Sequence, residues 1–458
     1  MNLKPFFFIT GLSVLAISAL LSGCGEGGGT SSGSPSQLDG SFGNNGVVKR
    51  SFGADRPAFV SGLAVDQRND IYVTANIRDD MGNVDRVVLL KYHGGGSPDT
   101  VYGDHGLAEF PNGERNVTTG VTTLSNGGND ESVVIGSVRV PDRTDPHNNW
   151  LYLPKIWKFN VLGKPDGTFN KNGIYYDPGT LFGTPEQVMT DHDLNIYVLG
   201  ISYPNLLGSK PQINGIMKLR LDGSTDKTFG NVPGMPGVLG FSGDTGVYTA
   251  RMVLDHHGNI IVAGAKEEND GYHVVLMRYT ADGTLDTSFG VGGLADDARA
   301  YTPCAQDAEA ITAVRVTKDD RIGVTGSRCD NGVMSMFLRY YDTDGSIVET
   351  FNRQAGEIVL DSDDTHRIVW RDMVIGEGGD FYVLGDVFSY GGGSHGRHMQ
   401  VRKYNYAGDV VHSFGTDGVY DDTLNDCYGR KMTMDVNRYH LVVAGECGND
   451  ITLWKLNR

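Results

Sequence analysis

One aromatic residue in a fixed setting recurs along nearly the whole chain: Phe42, Tyr102, Phe169, Phe229, Phe289, Phe351 and Phe414, at successive spacings of 60, 67, 60, 60, 62 and 63 residues. The setting is most complete from Arg278 to Gly293, R-Y-T-A-D-G-T-L-D-T-S-F-G-V-G-G. A period near 60 constrains this chain more than composition does. Each copy must be one supersecondary unit that buries its apolar face against the next. Glycine, at 64 residues with only 16 prolines and no collagen-like period, suits many short strands joined by tight turns.

Four short segments recur in each unit. A brief strand follows the S-F-G phrase, as in Gly46-Val47-Val48 and Gly418-Val419-Tyr420. A second segment alternates apolar residues and ends in a polar turn, as in Ser61 to Asp66 and Ala250 to Asp255. The third is the most regular, with Ile196-Tyr197-Val198-Leu199-Gly200, Phe381-Tyr382-Val383-Leu384-Gly385 and Leu441-Val442-Val443-Ala444-Gly445. The fourth closes on an apolar residue, a base and an aromatic, as in Leu90-Lys91-Tyr92 and Met277-Arg278-Tyr279. β-branched and aromatic residues in runs this short predict strands. Four antiparallel strands per unit, seven times over, predict an all-β, seven-bladed β-propeller. The two chain ends are complementary halves of one unit: Leu453-Trp454-Lys455-Leu456 lacks an S-F-G phrase after it, and Leu38 to Gly43 lacks a fourth segment before it. The N-terminal strand near Val47 is therefore expected to complete the C-terminal blade and close the ring.

D-G-T-L-D-T-S-F-G-V-G-G, with its period and the upstream I-x-V-x-G strand, resembles the delta-60 repeat family of bacterial extracytoplasmic proteins over about residues 38–458. The resemblance implies a propeller-like repeat and an exported location, and brings no activity. Tyr102 replaces the phrase's Phe, and Asn170 and Asn352 replace its Gly. Leu21-Ser22-Gly23-Cys24, after the apolar run Phe6 to Leu21, resembles a bacterial lipobox. That implies a signal peptide over 1–23, a lipidated Cys24, and a Gly/Ser-rich tether over 24–37 ahead of a propeller over 38–458. Gly25 in place of Asp implies the outer membrane. A formal net charge of −17 disfavours nucleic acid as a partner.

In a propeller, loops between second and third strands share a face with loops joining one blade to the next. Variation collects there, in 141–154, 203–213, 266–272 and 389–398, which marks the candidate binding face for a protein or glycan. Cys304 with Cys329, and Cys427 with Cys447, each place one residue before an innermost strand and one after its neighbour, which predicts two disulfides. Zinc is the rival account, without C-x-x-C spacing to support it.

The innermost strands carry Arg251, Arg315, Arg371, Asp372, Arg430 and Lys431 among apolar positions, with Glu186 and Glu309 nearby. Buried charge is costly unless paired or wet, so these residues are expected to line the axial channel. There they either hold the blades together or bind an anionic ligand such as a carboxylated sugar. His395 and His398 could serve a metal, and the Asp-x-x-Gly turns calcium, but the EF-hand pattern is missing and no metal or cofactor is expected. Asn116-Val117-Thr118 fits a glycosylation pattern. With no phosphate loop, G-x-S-x-G or H-E-x-x-H, the expected function is a membrane-anchored binding scaffold. The alternative is a propeller enzyme of the lyase, lactonase or glycosidase kind, with its site at the channel mouth.

Overall fold

The computed structural model describes residues 37–458 apart from 111–115, 127–128, 142–149, 171, 177–183, 202–213, 242–246, 269–270, 297–310, 331–332, 364–365, 390–395 and 423–425. Its strands form seven antiparallel four-stranded sheets, six of them in chain order from the innermost strand outward. Blade 1 runs Ala58–Val65, Ile71–Arg78, Val84–Tyr92 and Leu107–Glu109. Blades 2 to 6 begin at the innermost strands Asn116–Asn126, Thr184–Thr190, Val247–Leu254, Ile311–Val316 and His366–Ile375. Blade 7 takes Cys427–Met434, His440–Cys447 and Asp450–Asn457 from the C-terminus. Its outermost strand is Val47–Arg50, paired Val47 to Trp454 and Arg50 to Ile451. The ring closes as the chain ends predicted.

Apolar side chains sort into seven clusters, one between each pair of adjacent blades. Strand alternation gives each blade two apolar faces, and each is covered by a neighbour. The core is thus a ring of layers around a polar axis.

The repeated phrase is the rivet between blades. Its aromatic is buried in every copy. The residue after it sits at positive φ and donates its N–H to the third-to-fourth-strand turn of the next blade: Gly43 to Gly95, Gly103 to Leu162, Asn170 to Asp222, Gly230 to Asp282, Gly290 to Asp344 and Asn352 to Ala407, at 2.7 to 3.1 Å. Asn can stand for Gly here because it tolerates the left-handed conformation. For Gly415 no such turn exists, since the chain enters at that point. The Gln37 side-chain oxygen accepts its N–H instead, at 2.9 Å.

In five copies an Asp three residues before the aromatic meets the cation of the preceding strand. The pairs are Lys455–Asp39 3.5 Å, Lys91–Asp99 2.9 Å, Lys158–Asp166 2.7 Å, Lys218–Asp226 3.7 Å and Arg278–Asp286 2.7 Å. Burial alone would raise Asp99, Asp166 and Asp226, but hydrogen bonds from Lys91, Lys158, Thr228 and local N–H groups outweigh it, and all three lie below the usual carboxylate value. A lowered native pKa means that the unfolded chain takes up protons first as pH falls. The stability these pairs contribute is complete above the ordinary carboxylate range and is lost as pH drops through the lowered values. Urea midpoints of wild type and Asp166→Asn should therefore differ at neutral pH and converge as pH falls below the lowered carboxylate value. A gap that persists in acid would assign the effect to packing.

Candidate functional site

Every blade's innermost strand carries a β-bulge near its start. In six blades the extra residue is Ser61, Thr119, Glu186, Thr312, Arg371 or Arg430, and all six line one axial cavity of about 270 Å³. A bulge leaves one residue out of the ladder and re-aims its side chain, here toward the axis. Blade 4 bulges earlier, between Val247 and Thr249, and contributes Arg251. Lys431 joins the lining beside Arg430. The innermost strands begin at the loop-rich face, so this cavity lies in that half of the channel.

A deeper cavity of about 370 Å³ shares Ser61, Thr119, Glu186, Arg251, Thr312 and Lys431 with the first, and adds Arg315 and Asp372. At the opposite mouth the lining includes Asp66, Asp191 and Asp255. Burial pushes the Asp66 carboxyl up, and neighbouring Asp130 and Asp70 add to this against its backbone hydrogen bonds. The channel is therefore cationic at the loop-rich end and acidic at the turn end. An anion is favoured at one end only.

The arginines are held from behind. Arg371 Nε donates to Asp386 at 2.9 Å, and Asp386, fully buried, also accepts the Gly429 N–H of blade 7 at 2.9 Å. Arg430 Nε donates to Glu446 at 2.7 Å, and Glu446 accepts the Val60 N–H of blade 1 at 2.6 Å. Asn76 sits at the same place in blade 1 and brackets Thr118 of blade 2 through both its N–H and its C=O. Asp386, Glu446 and Asn76 all follow the I-x-V-x-G (or Ala) run directly. Each reaches the bulge of the next blade. Burial pushes both carboxyls up, with their arginines and the N–H groups working against it.

Of the residues singled out from sequence, Arg251, Arg371, Arg430 and Lys431 meet at the upper cavity. Arg315 and Asp372 lie deeper and pair at 2.6 Å, while the other Asp372 oxygen accepts the Met432 N–H at 3.0 Å. Arg315 and Asp372 are thus a blade-to-blade clamp, as Gln187 is with Met252. Lys431 has no ion-pair partner among the described residues. Cys427 and Cys447 form a disulfide across 20 residues, a closure that contributes about 3 kcal/mol. Cys24, Cys304, Glu309, His395 and the Cys329 side chain lie outside the described residues, as do 203–213 and most of the other variable loops. His398 pairs with Asp421 at 3.5 Å. Asn116 and Thr118 are buried between blades, away from any glycosylating enzyme.

Asp70, His93 and Asp99 converge closely enough to hold a metal. Lys91 Nζ already lies 2.9 Å from a carboxylate oxygen of each Asp, so an ammonium supplies the positive charge there.

Sequence reasoning found the charges and missed their supports. Ser61, Thr119 and Thr312 carry no sequence signal of a bulge, whereas a polar residue straight after I-x-V-x-G was visible at Asp386 and Glu446.

The chain is a seven-bladed β-propeller with a cationic axial cavity. A family model described as a domain of unknown function (DUF5122) beta-propeller matches residues 258–289, from the second strand of blade 4 through its phrase. No curated protein matches. Among solved structures the chain is similar to a protein of unknown function from Dyadobacter fermentans, at 10% identity over 90% of this chain and 100% of that one, TM-score 0.42. Drosophila Semaphorin 2a matches at 9% over 90% and 75%, TM-score 0.46. The polysaccharide lyase Uly1 matches at 11% over 87% and 89%, TM-score 0.37. Likenesses this distant say nothing about what the chain binds.

Proposed function

We propose that this chain is a lipid-anchored extracytoplasmic propeller that binds a small carboxylate-bearing ligand, of the sugar-acid kind, in its axial cavity, as a binding scaffold. The observation that carries this is the anchoring of Arg371 and Arg430 through Nε. Their Nη groups have no hydrogen-bond partner among the described residues, which leaves a preset fork on each arginine for an oxyanion. The hydroxyls of Ser61, Thr119 and Thr312 on the same lining suit a polyhydroxylated ligand. Asp372, Asp386 and Glu446 are spent on backbone amides and arginines, which favours binding over acid–base chemistry.

The chain enters the domain on the turn face, where Asn457 N donates to Gln37 O at 2.7 Å.

Isothermal calorimetry of the full chain with galacturonate, and with galactose as the neutral control, tests the reading. Heat is expected with the acid alone, and Arg371→Gln should weaken binding by about tenfold or more. Silence toward galacturonate and simpler carboxylates alike would overturn it.

A further inference from the structure

The two axial cavities share six lining residues and so form one channel. Arg371 and Arg430 line only the upper part, of about 270 Å³, whereas Lys431 lines both that part and the deeper one, of about 370 Å³. The upper part alone is smaller than the roughly 300–1,000 Å³ common for ligand pockets. A ligand seated on the two arginines therefore has open channel below it, past Lys431.

The strand ladder shows what the Lys431 position does in other blades. Gln187, Asp372 and Lys431 are the first residues back in register after the bulges of blades 3, 6 and 7, opposite Leu199, Leu384 and Ala444. Gln187 accepts the Met252 N–H at 2.9 Å and Asp372 the Met432 N–H at 3.0 Å, so in two blades this position clamps the next blade. That clamp needs an acceptor. An ammonium has three donors and no acceptor, so Lys431 cannot grip blade 1 in this way. It is half-buried and makes no hydrogen bond or ion pair with any described residue. The other charges around it are committed. Asp372 Oδ1 accepts from Arg315 at 2.6 Å and from the Met373 N–H at 2.8 Å, while its Oδ2 takes the Met432 N–H. Glu186 and Arg251 are each engaged with other groups. A partly desolvated ammonium without an acceptor costs stability, and an anion that supplies one recovers it.

We propose that the channel takes an acidic oligosaccharide end-on, two sugar-acid units deep, with one carboxylate on the Arg371 and Arg430 forks and the next on Lys431. This rests on the axial site binding a sugar acid, and adds the length of the ligand and its second charge. The guanidinium forks suit a planar carboxylate at the mouth. A point charge on a flexible stem suits a second carboxylate whose position is set by the first. Deeper still, Arg315 is spent on Asp372 and on the Val314 carbonyl at 2.8 Å, so no seat is provided for a third.

Isothermal calorimetry of the full chain with galacturonate, digalacturonate and the monomethyl ester of digalacturonate, which keeps the length and drops one charge, tests this. Digalacturonate should bind about tenfold tighter than galacturonate, and the ester should lose most of that gain. Lys431→Gln should bring the ratio of the two affinities close to one, and Lys431→Arg should restore it. The ratio is read within one protein, so a loss of folded fraction does not imitate its collapse. A ratio near one in the wild type, a gain kept by the ester, or a ratio that survives Lys431→Gln would each overturn the second seat while galacturonate still binds. Silence toward all three ligands would instead remove the axial site itself, and this proposal with it.

Discussion

Trp454→Ala should be among the most destabilising single substitutions in this chain, lowering unfolding free energy by about 3 to 5 kcal/mol. The indole is buried in the layer between blades 6 and 7 and sits opposite Val47 of the closing strand. Its Nε1 donates to Asp422 Oδ2 at 2.7 Å, a buried bond into the outermost strand of blade 6. Truncation thus leaves a cavity and an unpaired carboxylate at the seam where the two chain ends meet. Trp454→Phe separates these terms: it keeps most of the volume and loses the donor, for about 1 to 2 kcal/mol. Urea denaturation of the three proteins measures both steps. If Trp454→Ala costs no more than Trp454→Phe, the seam repacks, and closure rests on the strand pairing from Val47 to Arg50.

Features carried by neighbouring residues are legible in the sequence alone. The S-F-G phrase, the I-x-V-x-G strand and the half-units at each end are contiguous, and together they specify blade number, strand order and closure. The reason for the phrase is not legible there. Its glycine serves a hydrogen bond to the next blade's turn, some 50 to 60 residues on, and the Gln37 stand-in for the missing turn emerges only once the ring is closed. The cavity divides the same way. Arg371 and Arg430 stand out because charge is unexpected in an innermost strand. Ser61 and Thr119 look like ordinary alternating strand residues, because a bulge belongs to the register between two strands and leaves no trace in one. Arg315 and Asp372 group with the mouth residues in sequence for the same reason: depth along the strand is poorly marked there.

The second large effect is expected at Asp386, which touches no ligand in the proposed site. Asp386→Ala should cost about 3 to 5 kcal/mol, the range for removing one partner of a buried ion pair. The carboxylate has no exposed surface, and its loss strands the Arg371 Nε on one blade and the Gly429 N–H on the next. The isosteric Asp386→Asn tests position apart from stability. Its amide oxygen can still accept one of the two donors, so the fold should survive, but the charge that fixes the Arg371 fork is gone. Galacturonate affinity should then fall about tenfold in a protein that still folds, at a stability cost of about 1 to 3 kcal/mol for the donor left without an acceptor, as for a group that orients a ligand-binding residue. Glu446→Gln should do the same through Arg430, since Glu446 spans blades 7 and 1 as Asp386 spans 6 and 7. If both variants bind galacturonate like wild type while Arg371→Gln does not, the arginines find their positions without the buried carboxylates. The pairs would then be clamps between blades, and the cationic mouth a by-product of how the ring is held together.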